Sequence, residues 1–178
     1  MYDLIDPQTA TDSVKELLEA THKQLGRVPN LYRAMANSPK GLGAYLAFRG
    51  ALQGGTLDSA MCERIALLTA QLNACDYCVA AHSFRARKMG LSTEDILATR
   101  QGNSDSPKIH AALVFIVELI GGRGTVVDAT KDALIEHGWS EAEIGEMVGH
   151  VALNVFSNYF KQVAGPVLNF PAAADLPG

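Results

Sequence analysis

Apolar residues recur at helical spacing from one end of the chain to the other, and no run alternates with the two-residue period of a half-buried strand. The pattern predicts an all-α protein. Val14, Leu17, Leu18 and Leu25 form the stripe of a first helix, which Ser13 and Glu16 would open as a capping box and Gly26 would close. Pro29 and Pro39 stand where helices begin, Ser38 serving as an N-cap for a segment that turns Leu42, Tyr45, Leu46 and Leu52 inward before Gly54-Gly55. Asp58 is the expected N-cap of the next helix, with Met61, Ile65, Leu68 and Leu72 on one stripe. A break at Asn73-Ala74 precedes a helix that starts near those residues, runs to about Met89 and meets a left-handed cap at Gly90.

Downstream, Ser92 and Asp95 open a short helix, and Gln101 to Ser106 is the clearest loop. Pro107 starts an apolar helix to Ile120 that Gly121-Gly122-Arg123-Gly124 breaks; a helix from Val127 to His137 ends at Gly138. Ser140 and Glu143 form another capping box, opening a long helix to about Ala164 that Gly165-Pro166 terminates. About eight or nine helices in a single domain over residues 1–178 is the expectation, with a motif core at 57–90 and a tail at 171–178. On the long helix, His150, Asn154 and Asn158 recur four apart as a polar stripe. Such a stripe lines a pocket or cements a subunit interface, and the interface is the favoured reading.

Composition narrows the class. The chain has 178 residues, 48% of them hydrophobic and 19% charged, enough for one substantial core. A formal charge of −4 gives nucleic acid no electrostatic support as a partner. The longest apolar run, Ala111 to Gly122, is interrupted by Glu118 and falls short of the roughly 20 residues that cross a bilayer, so no membrane partner is expected. The first residues are acidic and lack the basic start and apolar stretch of an export signal. Cys62, Cys75 and Cys78 are too few for a secreted disulfide framework, which points to a reducing, cytoplasmic location.

The candidate chemistry lies in Cys75-Asp76-Tyr77-Cys78-Val79-Ala80-Ala81-His82, with Glu63 twelve positions before Cys75. Two cysteines three apart at the start of a helix are helical neighbours, able to form and break a disulfide without large backbone motion. Unpaired amides and the helix dipole in that first turn favour thiolate. Cys78 and His82 are four apart on the same helix face, which suits proton transfer, directly or through one water. Glu63 lies on the preceding helix, and an antiparallel helical hairpin would bring it toward His82; pairing with Arg64 or Arg85 is its alternative. Zinc held by the thiols, His82 and Glu63 is the rival, although three donors on one continuous helix make a cramped shell. Haem attachment is excluded because Val79, not histidine, follows Cys78. Cys62 reads as a small buried hydrophobe, and His22, His110 and His137 join no motif.

Glu63, Cys75, Cys78 and His82 in this order and spacing resemble the signature of the alkylhydroperoxidase D (AhpD-like) family within the carboxymuconolactone decarboxylase superfamily. The resemblance spans Leu57 to Gly90, with a softer similarity at Asn154 to Phe160. It implies an all-α, cofactor-free thiol peroxidase or disulfide reductase working as a homotrimer or hexamer. Cys78 would then be the peroxidatic thiol that attacks hydrogen or alkyl peroxides, and Cys75 the resolving one. His82 and Glu63 would form the proton relay, and an external dithiol, such as a lipoylated or thioredoxin-like protein, would regenerate the pair. The best-known members carry histidine where this chain has Tyr77. The same superfamily also offers a cofactor-free lyase acting on lactone-type substrates, and a third possibility is a non-catalytic helical oligomer whose dithiol senses redox state or clamps zinc.

Overall fold

Nine helices make up the regular structure among the described residues, 2–176, of the computed structural model; residues 177–178 of the expected tail lie outside them. They are α1 Asp12–Leu25, α2 Asn30–Met35, α3 Pro39–Leu52, α4 Ser59–Leu72, α5 Asp76–Lys88, α6 Thr93–Arg100, α7 Pro107–Gly121, α8 Asp128–Glu136 and α9 Glu141–Ala164. No strand occurs among the described residues, as the periodicity requires.

Most helix starts are built by the residues the sequence nominates. Asp58 accepts from the Met61 amide at 2.7 Å, Ser38 from Gly41 at 3.2 Å, and Ser92 from Asp95 at 3.0 Å. Ser140 and Glu143 close a reciprocal box, the Ser140 amide donating to Glu143 at 2.8 Å and the Glu143 amide to Ser140 Oγ at 3.3 Å. Each such cap stabilises its helix by about 1 kcal/mol. The first helix departs from expectation. It begins at Asp12 after Thr11, whose side chain makes no capping bond, so Ser13 is not a cap; the Gly26 stop holds, at φ 68° with its amide on the His22 carbonyl.

The chain divides into two compact units, residues 2–54 with 159–169, and residues 55–158 with 170–176. In the first, Leu18 and Leu42 are fully buried between α1 and α3, and the Tyr32 and Tyr45 rings meet edge to face at 5.7 Å. The N-terminal segment is tied down by Arg33, whose Nε donates to the Ile5 carbonyl at 2.9 Å, and by the Tyr2 ring, edge-on to Phe160 at 5.6 Å.

The second unit carries the motif. Its core joins Met61, Ile65 and Leu68 of α4 to Ala112, Leu113 and Ile116 of α7, with Leu134, Trp139, Met147 and Val151 closing it. Each large apolar side chain buried there contributes about 1.5–3 kcal/mol, which makes α4 a rigid support. Leu72, expected on the same stripe, is instead exposed, because the stripe rotates outward in the last turn of α4. Arg64 is buried and donates to Thr99 Oγ1 at 2.6 Å and Asp95 Oδ1 at 3.2 Å, joining α4 to α6. This bond holds the Asp95 carboxyl below its ordinary range. From α9, Glu146 accepts from the Thr56 and Leu57 amides at 2.8 and 3.0 Å and so fixes the turn before α4.

Candidate active site

The turn between α4 and α5 sets the site. The Cys75 amide donates to the Ala70 carbonyl at 2.9 Å and the Ala74 amide to Gln71 at 3.0 Å, the paired bonds of a Schellman motif. Ala74 occupies its left-handed position at φ 51°, where glycine is the usual residue. Cys75 then acts at once as the second residue after the α4 cap, Asn73, and as the N-cap of α5, its carbonyl accepting from the Val79 amide at 2.8 Å. One short turn therefore puts Cys75 at the cap and Cys78 at the third helical position. Helix α5 thus starts two or three residues later than the sequence suggests, and both sulfurs still lie at its positive end.

Cys75 and Cys78 are joined as a disulfide with Cα atoms 5.2 Å apart. His82 follows Cys78 by one turn on α5 and is buried. Its Nδ1 lies 2.5 Å from Glu63 Oε1, so the hairpin brings Glu63 and His82 together across α4 and α5. Arg85, one of the two alternative partners the sequence offers for Glu63, completes the group. Arg85 Nη2 is 2.9 Å from His82 Nδ1 and 3.3 Å from Nε2, while Arg85 Nε is 3.2 Å from Glu63 Oε1.

A donor in the plane of an imidazole cannot approach both ring nitrogens this closely, so the guanidinium lies over the ring face. The in-plane position at Nδ1 belongs to Glu63. Because a carboxylate only accepts, Nδ1 carries the proton and Nε2 is left as the acceptor in the neutral ring. The signal for Arg85 was its place three residues after His82, on the same face. Arg64, the other candidate partner of Glu63, turns instead to Thr99 and Asp95.

Tyr77 is buried, with its ring edge-on to Phe170 at 5.7 Å. It packs as an aromatic wall beside the dithiol. Cys62 also has a notable neighbour, its Sγ lying 3.3 Å from His150 Nε2. Burial pushes the Cys62 thiol up to about 11, with Asp58, Glu146 and Glu63 adding to the rise.

The polar stripe of α9 is turned into the chain, not toward a subunit interface: His150 meets Cys62, Asn158 Oδ1 accepts from Asn73 Nδ2 at 3.0 Å, and Asn154 donates to the His150 carbonyl at 2.8 Å. Buried amides need partners, and α4 supplies the nearest. Among the described residues no three or more His, Cys, Asp or Glu converge as a metal shell would require. No helix among them is long and apolar enough to cross a membrane. A cavity of about 920 Å³ lies in the other unit, bordered by Asp6, Lys15, Glu19, His22, Arg27 and Arg33.

Comparison with known proteins agrees with this arrangement. The Carboxymuconolactone decarboxylase family pattern matches residues 39–113, the stretch holding Glu63, Cys75, Cys78 and His82. A peroxidase-related protein of Ralstonia eutropha, described as an alkylhydroperoxidase AhpD core, is 25% identical, with a TM-score of 0.82 over 94% of this chain and 91% of that one. An uncharacterised peroxidase-related protein from Silicibacter sp. is 22% identical, with a TM-score of 0.77 over 94% and 89%. The debrominase Bmp8, solved with 2,3,4-tribromopyrrole, shares the fold at 18% identity, with a TM-score of 0.78 over 95% and 93%. No curated protein sequence matches the chain. With its all-helical fold, the matched segment and the Glu, Cys-x-x-Cys, His order inside it, the chain is similar to the AhpD-like proteins, and residues 39–113 match the carboxymuconolactone decarboxylase family.

Proposed function

We propose that this protein is a cofactor-free dithiol oxidoreductase that reduces hydrogen or alkyl peroxides and is regenerated by an external dithiol. The observation that carries the reading is the buried contact of 2.5 Å between Glu63 of α4 and His82 of α5, the helix whose N-terminus bears the Cys75–Cys78 disulfide. A carboxylate fixing Nδ1–H makes Nε2 the basic nitrogen that would take the Cys78 proton, and the α5 N-terminus favours the resulting thiolate.

In the proposed cycle the Cys78 thiolate attacks the O–O bond. The sulfur gains a hydroxyl as sulfenic acid, and the departing oxygen leaves as alcohol or water with the proton held by His82. Cys75 then attacks the sulfenic sulfur, forming the Cys75–Cys78 disulfide and releasing water. An external dithiol supplies two electrons and two protons, first as a mixed disulfide and then by displacement with its second thiol. The Cys75–Cys78 disulfide corresponds to the oxidised end of this cycle. Arg85 over the imidazole face would hold the ring against Glu63 while proton transfer proceeds at Nε2.

A homo-oligomer, trimeric or hexameric, belongs to the proposal; exposed Val114, Val117, Val148 and Phe156 on α7 and α9 support it. Stopped-flow mixing of the reduced protein with hydrogen and alkyl peroxides tests the reading. The expected result is loss of two thiols per chain with formation of the Cys75–Cys78 disulfide. Wild-type reactivity in Cys78→Ser would sink it, and turnover of a muconolactone-type substrate in a Cys75→Ala, Cys78→Ala variant would favour the lyase.

A further inference from the structure

Thiol–disulfide exchange requires an incoming thiolate to reach a disulfide sulfur. Cys75 is 0% exposed and Cys78 3%, so no such approach exists in this conformation and something must move. The C-terminal segment, residues 170–176, has no regular structure and is pinned to the dithiol turn. Its Phe170 ring meets Tyr77 edge-on at 5.7 Å and Phe84 at 6.0 Å, both on one face of α5. Four residues later the Ala174 carbonyl accepts from Arg100 Nη1 at 2.5 Å.

Arg100 is anchored in turn to the end of α4, its Nε donating to Gln71 Oε1 at 2.8 Å. The carboxylates of Asp175 and Asp76 both bear on the same guanidinium. Tyr77 is thus tied to this segment through Phe170, and the Asp76 charge acts on the Arg100 guanidinium that holds it. The rest of it is thinly held: Pro171, Ala172, Ala174 and Asp175 are exposed.

We propose that residues 170–176 form a strap that gates the disulfide, with Phe170 and Arg100 as its latches. The strap must lift from the Asp76–Tyr77 turn before a dithiol reductant can attack. Lifting it breaks one aromatic cluster and one guanidinium–carbonyl bond and leaves the core of α4, α7 and α9 intact. Segments with few buried contacts open locally at far lower cost than the whole fold. Once the strap is open, the reductant thiolate attacks one cysteine sulfur, the other leaves as thiolate and is protonated, and the reductant's second thiol displaces the first. The gate selects for a reductant slender enough to enter beneath it. This inference rests on the oxidoreductase reading for its biological meaning.

The test begins with the oxidised full-length protein and dithiothreitol as the probe, following Cys75 and Cys78 thiols by rapid alkylation and mass spectrometry. Phe170→Ala is expected to accelerate reduction by about three- to tenfold, the effect of losing an aromatic contact of roughly 0.5–1.5 kcal/mol. Phe170→Ala combined with Arg100→Gln should exceed either single change. Alkylation of Cys62, half-buried in the same unit, serves as the internal control and should not change. Unchanged reduction rates in all variants overturn the gate; so does a parallel rise in Cys62 alkylation, which would make the strap a general stabiliser. Failure of the reduced protein to consume peroxide would instead defeat the oxidoreductase reading, because dithiothreitol reduction reports access alone.

Discussion

Cys78 has His82 one turn further along α5 and Cys62 has His150 at 3.3 Å, and the surroundings of the two sulfurs differ. Cys78 stands at the N-terminus of α5, where unpaired amides favour a negative sulfur, and His82 is braced there by Glu63 and Arg85. Cys62 lies in the first turn of α4 at 3.3 Å from His150, and burial together with Asp58, Glu146 and Glu63 raises its thiol to about 11. A thiol beside an imidazole is therefore not in itself a reactive pair. At Cys62 burial and the neighbouring carboxylates work against the thiolate, whereas Cys78 stands at the positive end of a helix.

The sharpest way to break this contrast is to exchange the roles. Cys78→Ser should abolish peroxide consumption in single-turnover assays, whereas Cys62→Ser should consume peroxide like the wild type. Dependence of the reaction on Cys62 would reverse the assignment. At the histidines, His82→Ala should lower the rate by about 10²–10⁴-fold, the usual contribution of a positioned general base. His150→Ala should alter stability and leave the rate alone.

Smaller effects probe the framework around each thiol. Asn158 is fully buried and its amide oxygen takes the Asn73 bond, so Asn158→Ala should cost about 1–3 kcal/mol in urea unfolding without changing activity per folded molecule. At the turn before Cys75, Ala74→Gly should raise stability by up to about 1 kcal/mol, since glycine removes the left-handed penalty at some cost in chain entropy.

The pH dependence of Cys62 gives the finest discrimination. Its folded pKa lies above its ordinary value of 9.0, so the folded state holds the proton more tightly. Its contribution to stability is complete below pH 9.0 and is lost as pH rises toward about 11. Native-state alkylation of Cys62 should climb through the same window, and fast labelling at neutral pH would contradict the assigned environment.

Much of the fold was legible because caps and breakers act locally. Ser38, Asp58, Ser92 and the Ser140–Glu143 box need only their own first turns, and each performs as its spacing indicates. Thr11 displaced Ser13 at the start of α1 because no competing bond fixes the boundary there. Leu72 and the α9 stripe were misjudged for another reason. A helical wheel gives the angle of a residue but not what faces it, and α4 turned out to face His150 and Asn158. Arg85 was legible as a partner for Glu63, but its position over the imidazole was not, for the same reason.

By itself the sequence determined the helices, the dithiol at the mouth of one of them, and His82 one turn further along, because all of these depend on neighbours within a few residues. Only the tertiary structure decided that Glu63 and Arg85 both reach His82, that Tyr77 is roofed by Phe170, and that Cys62 sits among carboxylates. Those contacts join side chains from different segments. They depend on how packed helices and the C-terminal segment are set by the shared core, which no local spacing records.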